Sequence, residues 1–463
     1  MSLVHEMIRR YPPSGGPSMT TAPECSSPIV VLTPIRPFLM ADQPNTLHVL
    51  VRVQGPKAPP TDETLPREPR ALALVIDSSG SMRGRPLAEA KRCAEHVVNR
   101  LHPKDRVAVV QFDQRARLLW PAVELNSRRS VIEAIQQIQE GGATALHEGW
   151  VQGVNALADL DMPGLRRVIL LSDGEANRGE CDPEVIAQDC ANWAEKGITT
   201  STYGLGKSFN EDLMVAMAHK GGGSQYFGHS AKDLMATFEQ ELSLIDLRCM
   251  TEVRATLRGL AEIEIEVLNE LLIAGDVCKL PDVAFESEAW ALLRLTIPAE
   301  ALADCHQGRA LLEVSVSAKD GNGEVLNLAP VALSLPIMAH DTSSPVEEDE
   351  LVLRRMTEVA AAQALDKMRE AMRNGELERV QRMLQEARNA YGGNEWVQAI
   401  LESMERMSQD RVDAHIMAKE MKYSSMYLKN RIRVQNEISR WVEEENELPA
   451  FLQRHGTQGT KNP

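Results

Sequence analysis

The length, composition and charge of the chain already exclude several classes of protein. At 463 residues it is too long for one ordinary domain, and we expect about two to four domains. A formal net charge of −16 argues against a general nucleic-acid binder, because neutralising phosphates requires a basic face. With 43% apolar and 25% charged residues, the composition is that of a soluble globular protein. No stretch reaches the roughly 18 to 20 continuous apolar residues of a membrane span.

Residues 1–28 are predicted to form a disordered leader, in which either Met1 or Met19 is the physiological start. Prolines and Gly15-Gly16 interrupt this segment, and it lacks the apolar core of a secretory signal. The seven cysteines are scattered and include no CxxC pair, which is typical of reduced thiols rather than of a zinc ribbon. Together these features predict a cytoplasmic protein.

Predicted strands flank a region in which strands and helices alternate. Residues 29–70 contain two strands and a proline-containing linker. Residues 248–340 contain short alternating segments separated by turns, which is typical of a β-sandwich. The two early strands lack enough partners of their own. We therefore expect them to join the later strands in one β-domain, into which the region between them is inserted.

Residues 71–247 show the alternation of an α/β domain. The segment Ala71–Asp77 is apolar at consecutive positions, as in a strand that is buried on both faces. Helical periodicity follows at 86–101, 146–160 and 183–196, with a last helix at 231–247. The expected fold is a mainly parallel, doubly wound, Rossmann-like sheet with helices on both faces.

Residues 346–450 are predicted to be helical and residues 451–463 to form a flexible tail. Few helix breakers interrupt the helical segment, so we expect about three to five helices in an antiparallel bundle or in repeat-like hairpins. Its methionines form an apolar stripe, for which we consider core packing and, as the alternative, a promiscuous binding face. The stripe consists of Met404, Met407, Met417, Met421 and Met426.

Three separated segments carry oxygen-bearing side chains at predicted strand ends or in the following loops. They are Asp77-Ser78-Ser79-Gly80-Ser81, Thr144 and Asp173-Gly174. Their hydroxyl and carboxylate oxygens suit Mg²⁺ or Mn²⁺, with Ca²⁺ as a further candidate, and do not suit zinc or copper. Such a site leaves a coordination position that a partner's carboxylate can occupy. The first segment alone could instead be a metal-free helix N-cap, but three co-occurring segments favour the metal.

The pattern resembles the metal-ion-dependent adhesion site of von Willebrand factor type A domains. All five positions of that motif are present in order, and the likeness covers residues 71–247. They are Asp77, Ser79, Ser81, Thr144 and Asp173. The resemblance implies that the hydroxyls bind the metal, Thr144 directly or through water, while the aspartates mostly hold waters and hydroxyls in place. It also implies that Gly141 and Gly142 leave the Thr144 loop room to shift. The flanking regions look like those of bacterial multidomain proteins of this superfamily, including calcium-activated chloride channel homologues.

Three functions remain open at this point. The resemblance suggests an adaptor whose metal accepts a carboxylate from a protein partner. It also suggests a separate AAA+ ATPase as a partner, because the chain has no G-x-x-x-x-G-K-[ST] loop of its own. The second function is a metal-dependent hydrolase or phosphatase, with His147, Glu148 or Glu175 as the general base. The third is a scaffold that recruits its partner through the C-terminal helices.

Overall fold

The computed structural model describes most of the chain. The described ranges are 27–41, 43–56, 69–162, 164–172, 176–205, 210–228, 248–260, 262–285, 287–302, 310–320, 323–338, 347–409, 414–430 and 433–434. The predicted leader up to residue 26, the predicted helix at 231–247 and the predicted tail at 451–463 lie outside these ranges. So do the predicted site residue Asp173 and its neighbours Gly174 and Glu175.

The described residues before the α/β domain form three strands. They are β1 (Ile29–Pro34), β2 (Leu39–Met40) and β3 (Asn45–Gln54). β1 and β3 pair antiparallel, from Ile29 opposite Gln54 to Pro34 opposite Val49. In β3 the side chains of Leu47, Val49 and Val51 are fully buried, so this hairpin contributes to a core rather than covering a surface.

The α/β domain is built around a six-stranded sheet with the order β6-β5-β4-β7-β8-β9. Its elements are β4 (Ala71–Asp77), α1 (Arg85–Arg100), β5 (Arg106–Phe112), β6 (Ala116–Glu124), α2 (Arg128–Gln136), α3 (Leu146–Ala158), β7 (Arg166–Ser172), α4 (Pro183–Glu195), β8 (Ile198–Leu205), α5 (Glu211–Lys220) and β9 (Gly222–Gly228). Only β6 runs antiparallel, as a hairpin with β5. The predicted doubly wound, Rossmann-like sheet is confirmed.

The central strand β4 is buried at all seven positions because helices cover both faces of the sheet. Leu72, Leu74 and Ile76 pack into the core on one face, and Ala71, Ala73 and Val75 pack into the core on the other. This alternation is the period-2 geometry of a strand. On the second face, α3 approaches closely through glycine: a Cβ at Gly153 would lie 2.4 Å from Val75 Cγ2.

The β-domain continues after the α/β domain and contains two larger sheets. Its strands are β10 (Arg248–Gly259), β11 (Glu264–Val267), β12 (Leu272–Ala274), β13 (Val277–Lys279), β14 (Val283–Ala284), β15 (Ser287–Ile297), β16 (Leu312–Lys319), β17 (Val325–Asn327), β18 (Val331–Leu333) and β19 (Ile337–Met338). β3 pairs with β15 from Asn45 opposite Ile297 to Gln54 opposite Glu288. Residues of both sheets share one hydrophobic core. The α/β domain is therefore inserted between two halves of one β-domain.

Four helices lie in the described residues between 350 and 430 of the C-terminal part. Its helices are α6 (Glu350–Arg373), α7 (Leu377–Tyr391), α8 (Glu395–Gln409) and α9 (Ala414–Asn430). The prediction of helix up to residue 450 is wrong at Arg433–Val434, which form strand β20 against Ser287 and Glu288 of β15. On that edge β11 covers only Leu293–Thr296, so the start of β15 has open backbone groups that a strand can pair.

The helical unit contacts both other domains. The five methionines of the predicted stripe are each at most 7% exposed, so the interpretation as core packing is correct. At its start α6 enters the core of the β-domain with Val352 and Val359. At its end Arg369 forms ion pairs with Glu211 and Asp212 of α5. No described helix is long and apolar enough to cross a membrane.

Candidate metal centre

Two of the three predicted metal-site segments, Asp77–Ser81 and the Thr144 loop, meet at the carboxyl edge of the sheet, where β4 ends beside β7. These two strands are parallel neighbours, so Asp77 at the end of β4 lies beside Ser172 at the end of β7. The Ser172 hydroxyl donates a short hydrogen bond to Asp77 Oδ2. The order of connections reverses here, because β5 lies on one side of β4 and β7 on the other. Open α/β sheets bind ligands at this position.

Asp77 is fully buried beneath the loop that follows it. Its Oδ1 accepts a hydrogen bond from the backbone N–H of Ser79 at 2.8 Å, so protein donors hold both carboxylate oxygens. Burial raises the pKa of Asp77; hydrogen bonds from Ser172 and Ser79 oppose this effect, and the negative charge of Asp113 adds to it. A buried carboxylate with a second carboxyl nearby is stabilised by a bound cation.

Ser79 and Ser81 bring their hydroxyls together. The two Oγ atoms are 3.1 Å apart, and Ser79 is buried while Ser81 is exposed. Between them a short 3-10 turn, Gly80–Met82, begins, and the buried side chain of Met82 anchors it. Neighbouring ligands of an octahedral ion with bonds of about 2.1 Å are about 3.0 Å apart. The spacing of these hydroxyls therefore fits an ion of the size of Mg²⁺.

Hydrogen bonds attach the Thr144 loop to the first loop. Gly141 N donates to Ser78 O at 2.6 Å, and Gly80 N donates to Gly142 O at 2.7 Å. Gln111 bridges the same loops, because its Nε2 donates to Ser78 Oγ and to Gln139 O, both at 2.9 Å. Thr144 itself is 2% exposed. Its loop therefore lies directly against the loop of Ser79 and Ser81.

Asn177 connects Thr144 to the loop that follows β7, and we did not predict this role. Its Oδ1 accepts from Thr144 N at 2.8 Å, and its own N–H donates to Thr144 O at 3.2 Å. Asn177 stands four residues after Asp173 in the same loop. The signal in the sequence that could have indicated this role is an asparagine in a loop, where asparagine side chains often accept hydrogen bonds from backbone amides.

The two glycines before Thr144 have different roles. A Cβ at Gly141 would lie 2.2 Å from Asp113 Oδ2 and 2.4 Å from Asp113 Cβ, whereas a Cβ at Gly142 would meet nothing within 4 Å. Gly141 thus permits close packing of the loop on Asp113. Only Gly142 has the open space that the resemblance implied for both residues.

The described candidates for a general base are engaged elsewhere. His147 Nε2 lies 2.9 Å from Asp189 Oδ2 on α4, and its ring stacks on Trp150. Glu148 Oε1 accepts from the backbone N–H of Ala116 at 3.1 Å. Glu175, the third candidate, lies outside the described residues. Neither described side chain is arranged with Ser79 or Ser81 as a nucleophile–base pair.

The donor set fits a hard divalent cation. Within the described ranges, no group of three or more His, Cys, Asp and Glu side chains is placed to hold a metal ion. The oxygens that converge are instead hydroxyls, at Ser79 and Ser81, above one buried carboxylate, that of Asp77. Hydroxyl and carboxylate oxygens are ligands that Mg²⁺ and Mn²⁺ accept.

Comparisons with known proteins agree with the architecture. Residues 71–241 match the family model of the von Willebrand factor type A domain. Over 202 residues the chain is 30% identical to an uncharacterized protein of Synechocystis sp., a match that covers 44% of this chain and 47% of that protein. The chain therefore spans about half the length of this relative.

Two solved structures share the fold over most of the chain. A von Willebrand factor type A protein from Catenulispora acidiphila has a TM-score of 0.67 at 16% identity, and the match covers 90% of this chain and 100% of that one. The ArnB paralog VWA2 from Sulfolobus acidocaldarius has a TM-score of 0.55 at 17% identity and covers 86% and 98%. At these identities the likeness concerns the fold alone. Residues 71–241 of this chain thus match the von Willebrand factor type A domain, and further sheets and helices lie around that α/β domain.

Proposed function

We propose that the chain is a non-enzymatic adaptor whose bound divalent cation accepts a carboxylate from a protein partner. The observation that carries the proposal is the convergence of the Ser79 and Ser81 hydroxyls, 3.1 Å apart, above the buried carboxylate of Asp77. Von Willebrand factor type A domains often mediate metal-dependent adhesion or protein interaction, and the family match supports the same role here.

Five residues would hold the cation. The hydroxyls of Ser79, Ser81 and Thr144 are the direct ligands in this proposal, and Asp77 and Asp173 hold waters and hydroxyls around them. Mg²⁺ is the first candidate because of the hydroxyl spacing, and Mn²⁺ or Ca²⁺ are the alternatives. When bound, the cation supplies a strong local positive charge with a position open to an incoming carboxylate.

The protein residues fix the geometry of this site before a partner arrives. Ser172 and the Ser79 amide occupy both oxygens of Asp77, which keeps that carboxylate beneath the hydroxyls. Gly80, Ser81 and Gly142 are exposed, so a partner side chain can reach the site from solvent. A preorganised and accessible site suits binding, because less ordering is needed when the partner docks.

The competing functions have less support. A hydrolase needs a positioned general base, and His147 and Glu148 are engaged with Asp189 and with Ala116 N. Recruitment through the methionine stripe would need an exposed stripe, and these methionines are buried. Recruitment through another face of the C-terminal helices stays a prediction. A separate AAA+ ATPase as the partner and a cytoplasmic location stay predictions.

The test combines metal titration with capture of partners. Mn²⁺ titration by calorimetry should give a site in the wild type that is lost in Asp77→Ala and in Ser79→Ala. Ser130→Ala is the matched control, because its hydroxyl only bonds Ser127 within the same domain. Thermal unfolding of each variant checks the fold.

The same four proteins then serve as baits in Mg²⁺ and in EDTA. A protein retained by the wild type and by Ser130→Ala in Mg²⁺, and lost with the other variants or in EDTA, supports the proposal. Retention that is identical in all lanes would show that the metal site is not the contact and would overturn it. Turnover of a phosphoester that disappears in Asp77→Ala would support the hydrolase instead.

A further inference from the structure

We infer that the partner segment bound here is acidic beyond the one carboxylate that reaches the metal, an inference that rests on the proposed function. Five exposed arginines lie in or directly beside the loops at the carboxyl edge of the sheet, and we call them the arginine rim. The rim consists of Arg83, Arg85, Arg115, Arg117 and Arg178. The chain as a whole has a net charge of −16, so these exposed positive side chains contrast with its overall charge.

The topology of the sheet places the arginine rim at the same edge as the metal site. Arg83 and Arg85 follow Ser81 directly, at the turn into α1. Arg115 lies in the turn between β5 and β6, and Arg117 is the second residue of β6, opposite Gln111 near the carboxyl end of β5. Arg178 follows Asn177 in the loop after β7. The carboxyl ends of β4, β5 and β7 lie at one edge of the sheet, since these strands are parallel and adjacent.

Four described carboxylates of the same edge accept hydrogen bonds from backbone amides. Glu140 accepts from Gly84 N at 2.8 Å, and Asp113 accepts from Arg115 N at 3.0 Å. Glu148 accepts from Ala116 N at 3.1 Å, and Glu180 accepts from Cys181 N at 2.9 Å. Each of these carboxylates therefore holds a loop in shape, and its acceptor capacity is partly used inside the protein.

The arginines keep their donors available to a partner. The side chains of Arg83, Arg85 and Arg117 are 72%, 78% and 55% exposed, although each has one carboxylate within 4.0 Å. Arg115 and Arg178 form no ion pair within the ranges that the structure describes. A guanidinium carries five N–H donors, so one ion pair leaves several of them free. Such donors bind carboxylates in bidentate geometry.

The charge distribution favours a short acidic peptide segment over a nucleic acid. The metal takes one carboxylate, and the arginine rim can take further Asp or Glu side chains next to it. A long polyanion would extend past the rim onto a surface whose overall charge is negative, where repulsion opposes binding. The partner that fits is therefore a protein segment with clustered acidic residues.

The experiment compares two short fluorescein-labelled peptides on the full chain in Mg²⁺. One peptide has a single Glu in a Gly-Ser background, and in the other this Glu is flanked by further Asp and Glu. The test variant is Arg85→Gln, Arg115→Gln and Arg178→Gln combined. The control variant, with the same charge change outside the α/β domain, is Arg258→Gln, Arg354→Gln and Arg382→Gln, all exposed. Asp77→Ala, EDTA and a single-stranded DNA competitor complete the set.

We expect the acidic peptide to bind more tightly than the single-Glu peptide, with an advantage that shrinks at high salt. The test variant should weaken acidic-peptide binding about tenfold, as three exposed charge contacts of usual strength would. The Mn²⁺ affinity of the test variant should equal that of the wild type. The control variant should bind the acidic peptide as tightly as the wild type does.

Other results overturn the inference in distinguishable ways. Equal affinities for both peptides in Mg²⁺, unchanged in the test variant, would refute the acidic preference and leave the proposed function standing. Binding that persists in EDTA and in Asp77→Ala would refute the proposed function. If neither peptide binds at millimolar concentration, the acidic preference is refuted, because a preference for acidic peptides requires that they bind. Mn²⁺ titration would then still test the metal site by itself. Tighter binding of DNA would assign the rim to another class of partner.

Discussion

Asn177 holds the backbone of Thr144 from both sides. Its side-chain oxygen accepts from the Thr144 N–H at 2.8 Å, and its own N–H donates to the Thr144 carbonyl at 3.2 Å. Of the five predicted site residues, Thr144 alone lies outside both the Asp77–Ser81 segment and the Asp173 loop. Asn177, in the loop after β7, thereby fixes the backbone of this residue. Any movement of Thr144 relative to that loop must break both hydrogen bonds.

Replacing Asn177 should weaken metal binding without unfolding the domain. In Asn177→Ala the Thr144 amide loses its acceptor, and residues that support metal ligands typically contribute about ten- to a hundredfold in affinity. We expect the Mn²⁺ affinity to fall about tenfold at unchanged melting temperature. Asn192→Ala is the control, because Asn192 accepts only from Gln188 on the exposed side of α4. Wild-type Mn²⁺ affinity in Asn177→Ala would show that Thr144 does not depend on this support.

The two glycines before Thr144 should differ in their tolerance of a methyl group. Gly141→Ala places a Cβ 2.4 Å from Asp113 Cβ, and overpacking of this kind costs about 1–3 kcal/mol. We expect Gly141→Ala to lower the melting temperature and the metal affinity together. Gly142→Ala meets open space and should stay within about 0.5 kcal/mol of the wild type. Circular dichroism melts and Mn²⁺ titration measure both quantities, and equal effects at the two positions would contradict the close packing at Asp113.

The ion pairs between α5 and α6 should stabilise the chain in a pH-dependent way. Burial alone would raise the pKa of Glu211 and of Asp212. For Glu211 a backbone hydrogen bond together with Arg369 and Arg373 outweighs burial, and for Asp212 the two arginines do so, which holds both pKa values below their usual 4.5 and 3.8. A lowered folded-state pKa gives stability that is present above the unfolded-state pKa and is lost as the pH falls through the folded value. The contribution should therefore be complete at neutral pH and vanish in acid.

The variant Arg369→Gln with Arg373→Gln tests this dependence. At neutral pH we expect a loss of about 1–3 kcal/mol, mostly from the buried pair of Arg369 and Glu211. The more exposed pair of Arg373 and Asp212 should add less than about 1 kcal/mol. The difference in melting temperature from the wild type should shrink as the pH drops below the lowered pKa values. Arg354→Gln with Arg382→Gln is the control. If the difference in melting temperature between the test variant and the wild type does not depend on pH, Glu211 and Asp212 are not its origin.

A buried ion pair anchors the start of α6 on the β-domain. Arg355 and Glu358 are both 0% exposed and lie 2.8 Å apart, and the Arg355 guanidinium stacks over Trp290 at 4.2 Å from the ring centroid. Removing one partner of such a pair leaves a buried charge and costs about 3–5 kcal/mol. We expect this loss in Arg355→Met.

Removing both charges should cost less than the sum of the single changes. In Arg355→Met with Glu358→Leu no uncompensated charge of the pair remains, so a coupling of about 1–3 kcal/mol is expected from the double-mutant cycle. Arg354→Met, at the exposed neighbouring position, should be close to neutral. Additive effects of the two single variants in thermal unfolding would mean that the pair is not coupled.

Much of the α/β fold could be predicted because its signals are local. The continuous apolar run of β4 requires burial on both faces, and the helical spacing of Leu87, Ala90 and Ala94 requires a helix on one of them. The Asp77–Ser81 segment is likewise contiguous. Helix at Arg433–Val434 was the wrong expectation, because the strand that these residues form depends on a free edge of β15.

The support of the candidate site was not visible in the sequence. Ser172 and Asp77 are 95 residues apart, Gln111 and Ser78 are 33 apart, and Asn177 and Thr144 are 33 apart. Nothing in the local pattern of a serine, glutamine or asparagine marks it as a partner of one particular loop. These contacts exist because the sheet places the ends of β4, β5 and β7 side by side.

The sequence by itself determined the alternation of strands and helices, the fold class and the identity of the candidate ligands, since periodicity and residue chemistry act over a few neighbouring positions. Only the tertiary structure decided that β3 pairs with β15 across more than 230 residues, with Arg52 bonding Glu288 at a separation of 236. The tertiary structure alone also decided which carboxylates accept hydrogen bonds from loop amides and which arginine side chains stay exposed. The physical reason is that strand order and domain insertion bring distant residues into hydrogen-bonding range, and no local pattern encodes that order.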